Sequence, residues 1–279
     1  MEREGTTRNT GLSFYYRILG TPREDRPPVM ALHGGPGGSH DILVPGAAPL
    51  ARTRAVIFYD QRGCGRSDRL SEDTSCTLAD NVADLEHLRR TLVAGPVDLM
   101  GHSWGGLLAL AYALDYGGNV RRLILIAPAV THYPNASWSD FLATLTPDVL
   151  SAIAVVRENR GYSPVARQAA VWRLTIREFF HRREVLDKID LEAMPFSPQV
   201  GIRLIGDLDG LDLRPRLAHL RIPTLIVAGR HDRRLPLSYH ENLAALLPDA
   251  SLEVFENSGH FPFLEEPERF ACVVDEFLR

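Results

Sequence analysis

Apolar and polar residues alternate from Leu12 to Leu19, the period of a strand with one covered face, and Gly20 to Pro28 reads as the turn that follows. Short, nearly unbroken apolar runs come next at Val29-Met30-Ala31-Leu32, Val56-Ile57-Phe58-Tyr59, Val97-Asp98-Leu99-Met100 and Leu123-Ile124-Leu125-Ile126. Runs of this kind read as strands covered on both faces. Helical spacing separates them, from about Leu78 to Leu92 and from the turn after Met100 through Tyr116. Strand and helix in alternation predict an α/β protein, with a mostly parallel central sheet and helices on both faces.

After Ala127-Pro128 the pattern changes. From about Thr131 to Leu213 no strong strand is read, only helical stretches at Trp138–Leu145, Pro147–Asn159 and Ala166–Arg182, broken by Gly161 and Pro164. Strand patterning resumes at Pro223–Ala228 and Leu252–Phe255. The chain therefore divides into a first part of the core at 1–131, a helical insertion at 132–213 and a second part of the core at 214–279.

The Val97 run passes into helical spacing through Gly101-His102-Ser103-Trp104-Gly105. G-x-S-x-G patterns also occur in unrelated loops, but a strand before and a helix after make this one a nucleophile elbow with Ser103 at its tip. A serine hydroxyl needs an imidazole to take its proton and a carboxylate to orient that imidazole. The strand read at Pro223–Ala228 runs out through Gly229-Arg230-His231 to Asp232, and the one at Leu252–Phe255 runs through Ser258-Gly259 to His260. Nucleophile, acid and base thus follow in the order Ser103, Asp232, His260, each past the C-terminal end of a strand, where open parallel sheets place ligands.

His87, on a polar helical stripe, His219, before a strand, and His181, in an arginine-rich run, suit solvated or structural roles. His231 lies in the right loop without the Ser-Gly-His turn, while Asp207, Asp209 and Asp212 follow no strand. Neither H-E-x-x-H nor Cys-x-x-Cys is present, so a metal site at His231, Asp232 and His260 lacks ligand spacing, and no cofactor is expected.

Acyl transfer also needs donors aimed at the oxyanion: the N–H after the nucleophile, here Trp104, and one from the loop after an earlier strand. His33-Gly34-Gly35-Pro36-Gly37-Gly38 fits that loop, with Gly35 as the partner of Trp104. The glycines stand too close together for a phosphate-binding G-x-G-x-x-G, and no G-K-[ST] follows.

The His33–Gly37 motif, Asp60-Gln61-Arg62-Gly63-Cys64-Gly65-Arg66-Ser67, Gly101–Gly106, Ala228–Asp232 and Ser258–His260 together resemble the proline iminopeptidase family of α/β-hydrolases, with its tricorn-interacting aminopeptidases, over nearly the whole chain apart from the middle. That resemblance implies an α/β-hydrolase fold with an inserted helical lid. It also implies a serine peptidase-like site of Ser103, Asp232 and His260, with oxyanion donors at Gly35 and Trp104. A lid shields an acyl intermediate and shapes the pocket. Gly34, Tyr133, Trp138, Trp172 and Arg233 are the candidate pocket residues, and Tyr162, Phe179, Phe180 and Phe196 further aromatics for it.

The family also implies glutamates that hold a substrate's N-terminal ammonium, from the lid and from just past the acid. Here Arg233-Arg234 follow Asp232, and Gln199-Val200-Gly201-Ile202-Arg203 contains no acid. Glu158, Glu178, Glu184, Asp207 and Asp209 remain as substitutes. An aminopeptidase acting on short peptides is therefore expected, with an esterase, lactonase or amidase for a small neutral or anionic metabolite as the alternative and a non-catalytic binding module as the third reading.

A chain of 279 residues with 45% hydrophobic content suffices for one large α/β domain. The net charge of −4, dispersed, argues against nucleic acid as a partner. Three cysteines, Cys64, Cys76 and Cys272, leave an odd one and no disulfide framework. Met1-Glu2-Arg3-Glu4-Gly5 lacks the apolar core of a leader and no apolar run reaches membrane-spanning length, so a cytoplasmic protein without a membrane partner is expected. Oligomeric state has no signature in the pattern. Lys188 is the sole lysine among 31 basic residues, a bias toward arginine read as coding preference.

Overall fold

The computed structural model describes residues 1–130, 138–191, 193–208 and 210–279, the side chain of Ile205 apart. Tyr133 and Asp209 lie outside the described residues.

Eight strands form one sheet: β1 (Glu2–Asn9), β2 (Leu12–Leu19), β3 (Val29–Leu32), β4 (Val56–Tyr59), β5 (Val97–His102), β6 (Val120–Ile126), β7 (Thr224–Gly229) and β8 (Ala250–Phe255). Their order is β1-β2-β4-β3-β5-β6-β7-β8. The β1–β2 and β2–β4 pairs are antiparallel and every other pair is parallel.

Successive side chains of a strand leave on opposite faces, and the two halves of the core follow from that. Met30, Leu32, Leu99, Leu123, Leu125 and Ile226 pack on one face, with the helices Leu78–Leu92 and Trp104–Tyr116. Val29, Ala31, Met100, Ile124, Leu225 and Val227 pack on the other, which also takes Phe141, Ile153, Val171 and Ile176 from the helices between β6 and β7. Trp104 through Ala113 are all buried, as suits a helix apolar on every side. Thr77 and Asp80 cap the helix Leu78–Leu92 reciprocally, each side chain bonding the other residue's main-chain N–H.

The inserted helices run Trp138–Ala143, Pro147–Glu158, Pro164–Ile176 and Pro198–Asp207. The third is shorter than its periodicity predicts: it gives way to a short 3-10 turn at Arg177–Phe179, and Phe180 is extended. β1 was not anticipated at all. Among the described residues no helix is long and apolar enough to cross a membrane.

Candidate active site

β5 ends at His102 and the helix begins at Trp104, so the chain reverses through Ser103 alone. Ser103 holds φ 52° and ψ −116°, a backbone region that costs a non-glycine residue on the order of 1–3 kcal/mol. Main-chain bonds fix it there: its N–H donates to the Ile126 carbonyl, and its own carbonyl accepts from Gly106 and Ala129, each at 2.9 Å. A Cβ at Gly105 would lie 2.2 Å from the Leu32 carbonyl oxygen, so the elbow helix starts hard against the end of β3.

Asp232 lies in the loop after β7 and His260 in the loop after β8. Both are buried, and His260 Nδ1 donates to Asp232 Oδ2 at 2.7 Å. Asp232 Oδ1 accepts the main-chain N–H groups of Arg234 and Leu235 at 2.8 and 2.9 Å. Burial acts to raise the Asp232 pKa, but the facing His260 and the Leu235 amide outweigh it and hold the carboxyl below its ordinary value. With Asp232 anionic, the His260 proton stays on Nδ1 and Nε2 is the basic nitrogen.

The His260 loop is anchored from both sides. His260 N–H donates to the Phe179 carbonyl at 2.8 Å. Buried Glu265 accepts Gly259 N–H on Oε1 and the N–H groups of His181 and Arg182 on Oε2, each at 2.8 Å. Glu265 thus ties this loop to the segment that follows the helix Pro164–Ile176.

β3 runs into His33-Gly34-Gly35, with Gly35 at φ +133°, where a Cβ would lie 2.6 Å from the Gly37 nitrogen. Gln61 locks this loop: its N–H donates to His33 Nε2 at 3.1 Å, and its side-chain amide donates to the His33 carbonyl at 2.8 Å. Because Nε2 accepts, the His33 proton sits on Nδ1 and is donated to the Gly34 carbonyl at 3.0 Å. The main-chain N–H groups of Gly35 and Trp104 meet no acceptor among the described residues, as expected for Trp104 at the first position of a helix.

The segment after β4 braces the same region. Asp60 Oδ1 accepts from the main-chain N–H and Nδ1 of His40, both at 2.9 Å. Arg62 donates to Asp84 at 2.7 Å and to the Ser75 and Asp80 carbonyls. Arg66 instead pairs with Asp41 at 3.0 Å. Cys64 is fully buried, and burial pushes its thiol pKa up, away from nucleophilic use.

Ser103, Trp104, His260, Gly34 and Gly35 open onto one cavity of about 1170 Å³, which Trp138 and Trp172 also line from the helical insertion. The alpha/beta hydrolase fold family model matches residues 27–267. A proline iminopeptidase of Heyndrickxia coagulans is 33% identical over 266 residues, 90% of this chain and 90% of that one. Another, of Saccharolobus solfataricus, is 30% identical across 99% of this chain and 92% of its own. The chain belongs to the proline iminopeptidase family of α/β hydrolases. Among solved structures, an esterase from Exiguobacterium antarcticum is similar, with a TM-score of 0.74, 25% identity and 96% of each chain covered.

In this α/β hydrolase Arg233 is not where the sequence reading put it. It does not line the cavity; its guanidinium donates to buried Glu178 at 3.0 Å, beside Arg183 at 2.7 Å. Arg234 lines the cavity instead, its guanidinium 5.7 Å from the centre of the Trp138 ring. None of the described substitute acids lines the cavity either. Asp207 accepts the Leu78 N–H at 2.7 Å, and Glu184 pairs with Arg182 at 2.8 Å. Phe179 and Phe196 line the cavity, whereas Phe180 is buried in a stack on Phe261 at 4.4 Å. The positioning roles of His33 and Glu265 had not been singled out; the one signal for Glu265 is an acid at the end of the apolar run Phe261-Pro262-Phe263-Leu264.

Proposed function

We propose that Ser103, His260 and Asp232 are the nucleophile, general base and orienting acid of a serine hydrolase of the proline iminopeptidase type, which removes N-terminal residues from short peptides. The observation that carries this reading is the 2.7 Å bond from His260 to Asp232, over a cavity shared with a serine on a strained elbow. Ser103 Oγ attacks the substrate carbonyl while His260 Nε2 takes its proton. Oxyanion charge develops toward the unused N–H groups of Gly35 and Trp104. Collapse releases the amine, protonated by His260, and water then attacks the acyl-enzyme by the same route. The helices of residues 132–213 serve as the lid over that intermediate.

A second reading, an esterase, lactonase or amidase for a small neutral or anionic metabolite, is favoured by one observation: no described residue lining the cavity is a carboxylate that would hold an ammonium.

A prolyl anilide with a free amine, its N-acetylated twin and a short acyl ester separate the two. Preference for the free amine supports the aminopeptidase; turnover of the ester alone, or indifference to acetylation, supports the second reading. A phosphonate probe checks the nucleophile itself, since its labelling is expected to vanish in Ser103→Ala. Persistent labelling in that variant would overturn the assignment of Ser103.

A further inference from the structure

Many arginines of this protein face a carboxylate: Arg54 meets Asp98, Arg62 meets Asp84, and Arg183 and Arg233 share Glu178. The cavity breaks that pattern. Arg157, Arg167, Arg173 and Arg177 line it from the helical insertion, and none of them forms an ion pair among the described residues. Arg234 also lines it, from the loop of Asp232 and within the field of that carboxylate, so the unneutralised charge is that of the four arginines of the insertion; no described lining residue is acidic.

The helix Pro164–Ile176 contains no Asp or Glu that would neutralise this charge. Arg173 and Arg177 stand one turn apart, a spacing at which like charges repel. The helix dipole favours cations at that C-terminal end, but it disfavours Arg167, near the N-terminus. Among the described residues Arg167 Nη2 reaches only the carbonyls of Asn159 and Tyr162, and its buried Nε has no partner. Unneutralised guanidinium groups around one concave site set a positive potential there, and their planar forks match a carboxylate. A cavity of about 1170 Å³ is roomy enough for a molecule of di- or tripeptide size.

We propose that this cavity selects substrates bearing a free carboxylate, held by Arg173 and Arg177 while the scissile carbonyl meets Ser103. The inference rests on the acyl-transfer reading of that cavity, and on the peptidase reading the group held is the C-terminal carboxylate of a di- or tripeptide.

Calorimetric titration of full-length Ser103→Ala protein with the dipeptide prolyl-alanine and with its C-terminal amide tests it without needing turnover. The free acid is expected to bind about tenfold more tightly than the amide, or better. That advantage should shrink as salt is raised and collapse when the exposed pair is changed in Arg173→Gln/Arg177→Gln. Equal binding of acid and amide, no binding of either, or an advantage untouched in the double variant overturns the proposal. If the acid is preferred but the wild-type protein cleaves neither dipeptide, the peptidase reading fails and carboxylate selection stands.

Discussion

The Trp104 indole N–H donates to Gln61 Oε1 at 2.7 Å, joining the first residue of the elbow helix to the side chain that holds the His33 loop. One glutamine therefore couples the two candidate oxyanion donors, at Trp104 and Gly35. Gln61→Leu leaves the buried indole N–H and the His33 carbonyl unpaired, at about 1–3 kcal/mol each. Stability should fall by about 3 kcal/mol, and kcat at least tenfold with a smaller change in KM, because the donors act on the transition state. Thermal unfolding and steady-state kinetics check both; a wild-type kcat in this variant would mean that the loop keeps its shape without Gln61.

Asp232→Asn separates orientation from folding. The variant's side-chain oxygen still accepts the Arg234 and Leu235 amides that Asp232 Oδ1 holds at 2.8 and 2.9 Å, so the loop should persist. Its amide nitrogen, however, presents N–H to His260 Nδ1, reversing the bond and moving the ring proton to Nε2. With the basic nitrogen lost, kcat should drop by about 10³–10⁴ while the melting temperature moves by only a few degrees. A loss below tenfold on whichever substrate is turned over would count against the acid–base pair.

Legibility in the sequence followed the reach of each signal. Ser103, Asp232 and His260 were readable because each stands just past an apolar run, and the sheet order brings the ends of β5, β7 and β8 together. β1 was hidden because Glu2–Asn9 carries no apolar alternation. It pairs with β2 along its whole length through the main chain, at an edge where charged side chains are protective. The predicted helix through Arg182 stops at Ile176 for a tertiary reason: Phe180 must stack on Phe261 and the Phe179 carbonyl must receive His260 N–H. Arg233 and Arg234 are the same residue type side by side, and what distinguishes them is Glu178, an ion-pair partner remote in sequence.

Glu265→Gln tests how His260, the proposed base, is held. The carboxylate receives main-chain N–H groups on both oxygens, from Gly259 on one and His181 and Arg182 on the other. Glutamine keeps one acceptor and turns an NH₂ group toward the other set of donors. A stability loss of about 3 kcal/mol is expected from the facing donors, with kcat falling about tenfold as His260 loosens. Unchanged stability with reduced kcat would move Glu265 from holding the loop to some direct part in the reaction.

His240 sets the acid side of the stability profile. Its ring is fully buried, stands edge-on to Tyr239, and neither nitrogen has a partner among the described residues. Burial disfavours the imidazolium and lowers the pKa to about 4, Asp232 only partly opposing it. In the unfolded chain the same ring titrates near its ordinary value of about 6.5. Between these values the unfolded state binds a proton that the folded state refuses, so stability is full above about pH 6.5 and falls as pH drops, by about 3 kcal/mol from this group at pH 4. His102, its pKa lowered to about 3 by burial, adds a slope of the same sign. His240→Leu removes one proton-binding site from the unfolded state and one unpaired polar ring from the core. It should leave stability near pH 7 within about 1 kcal/mol and flatten its decline from pH 6.5 to 4. Urea unfolding of both proteins across that range measures the difference in slope, and parallel curves would show that His240 takes up no proton on unfolding.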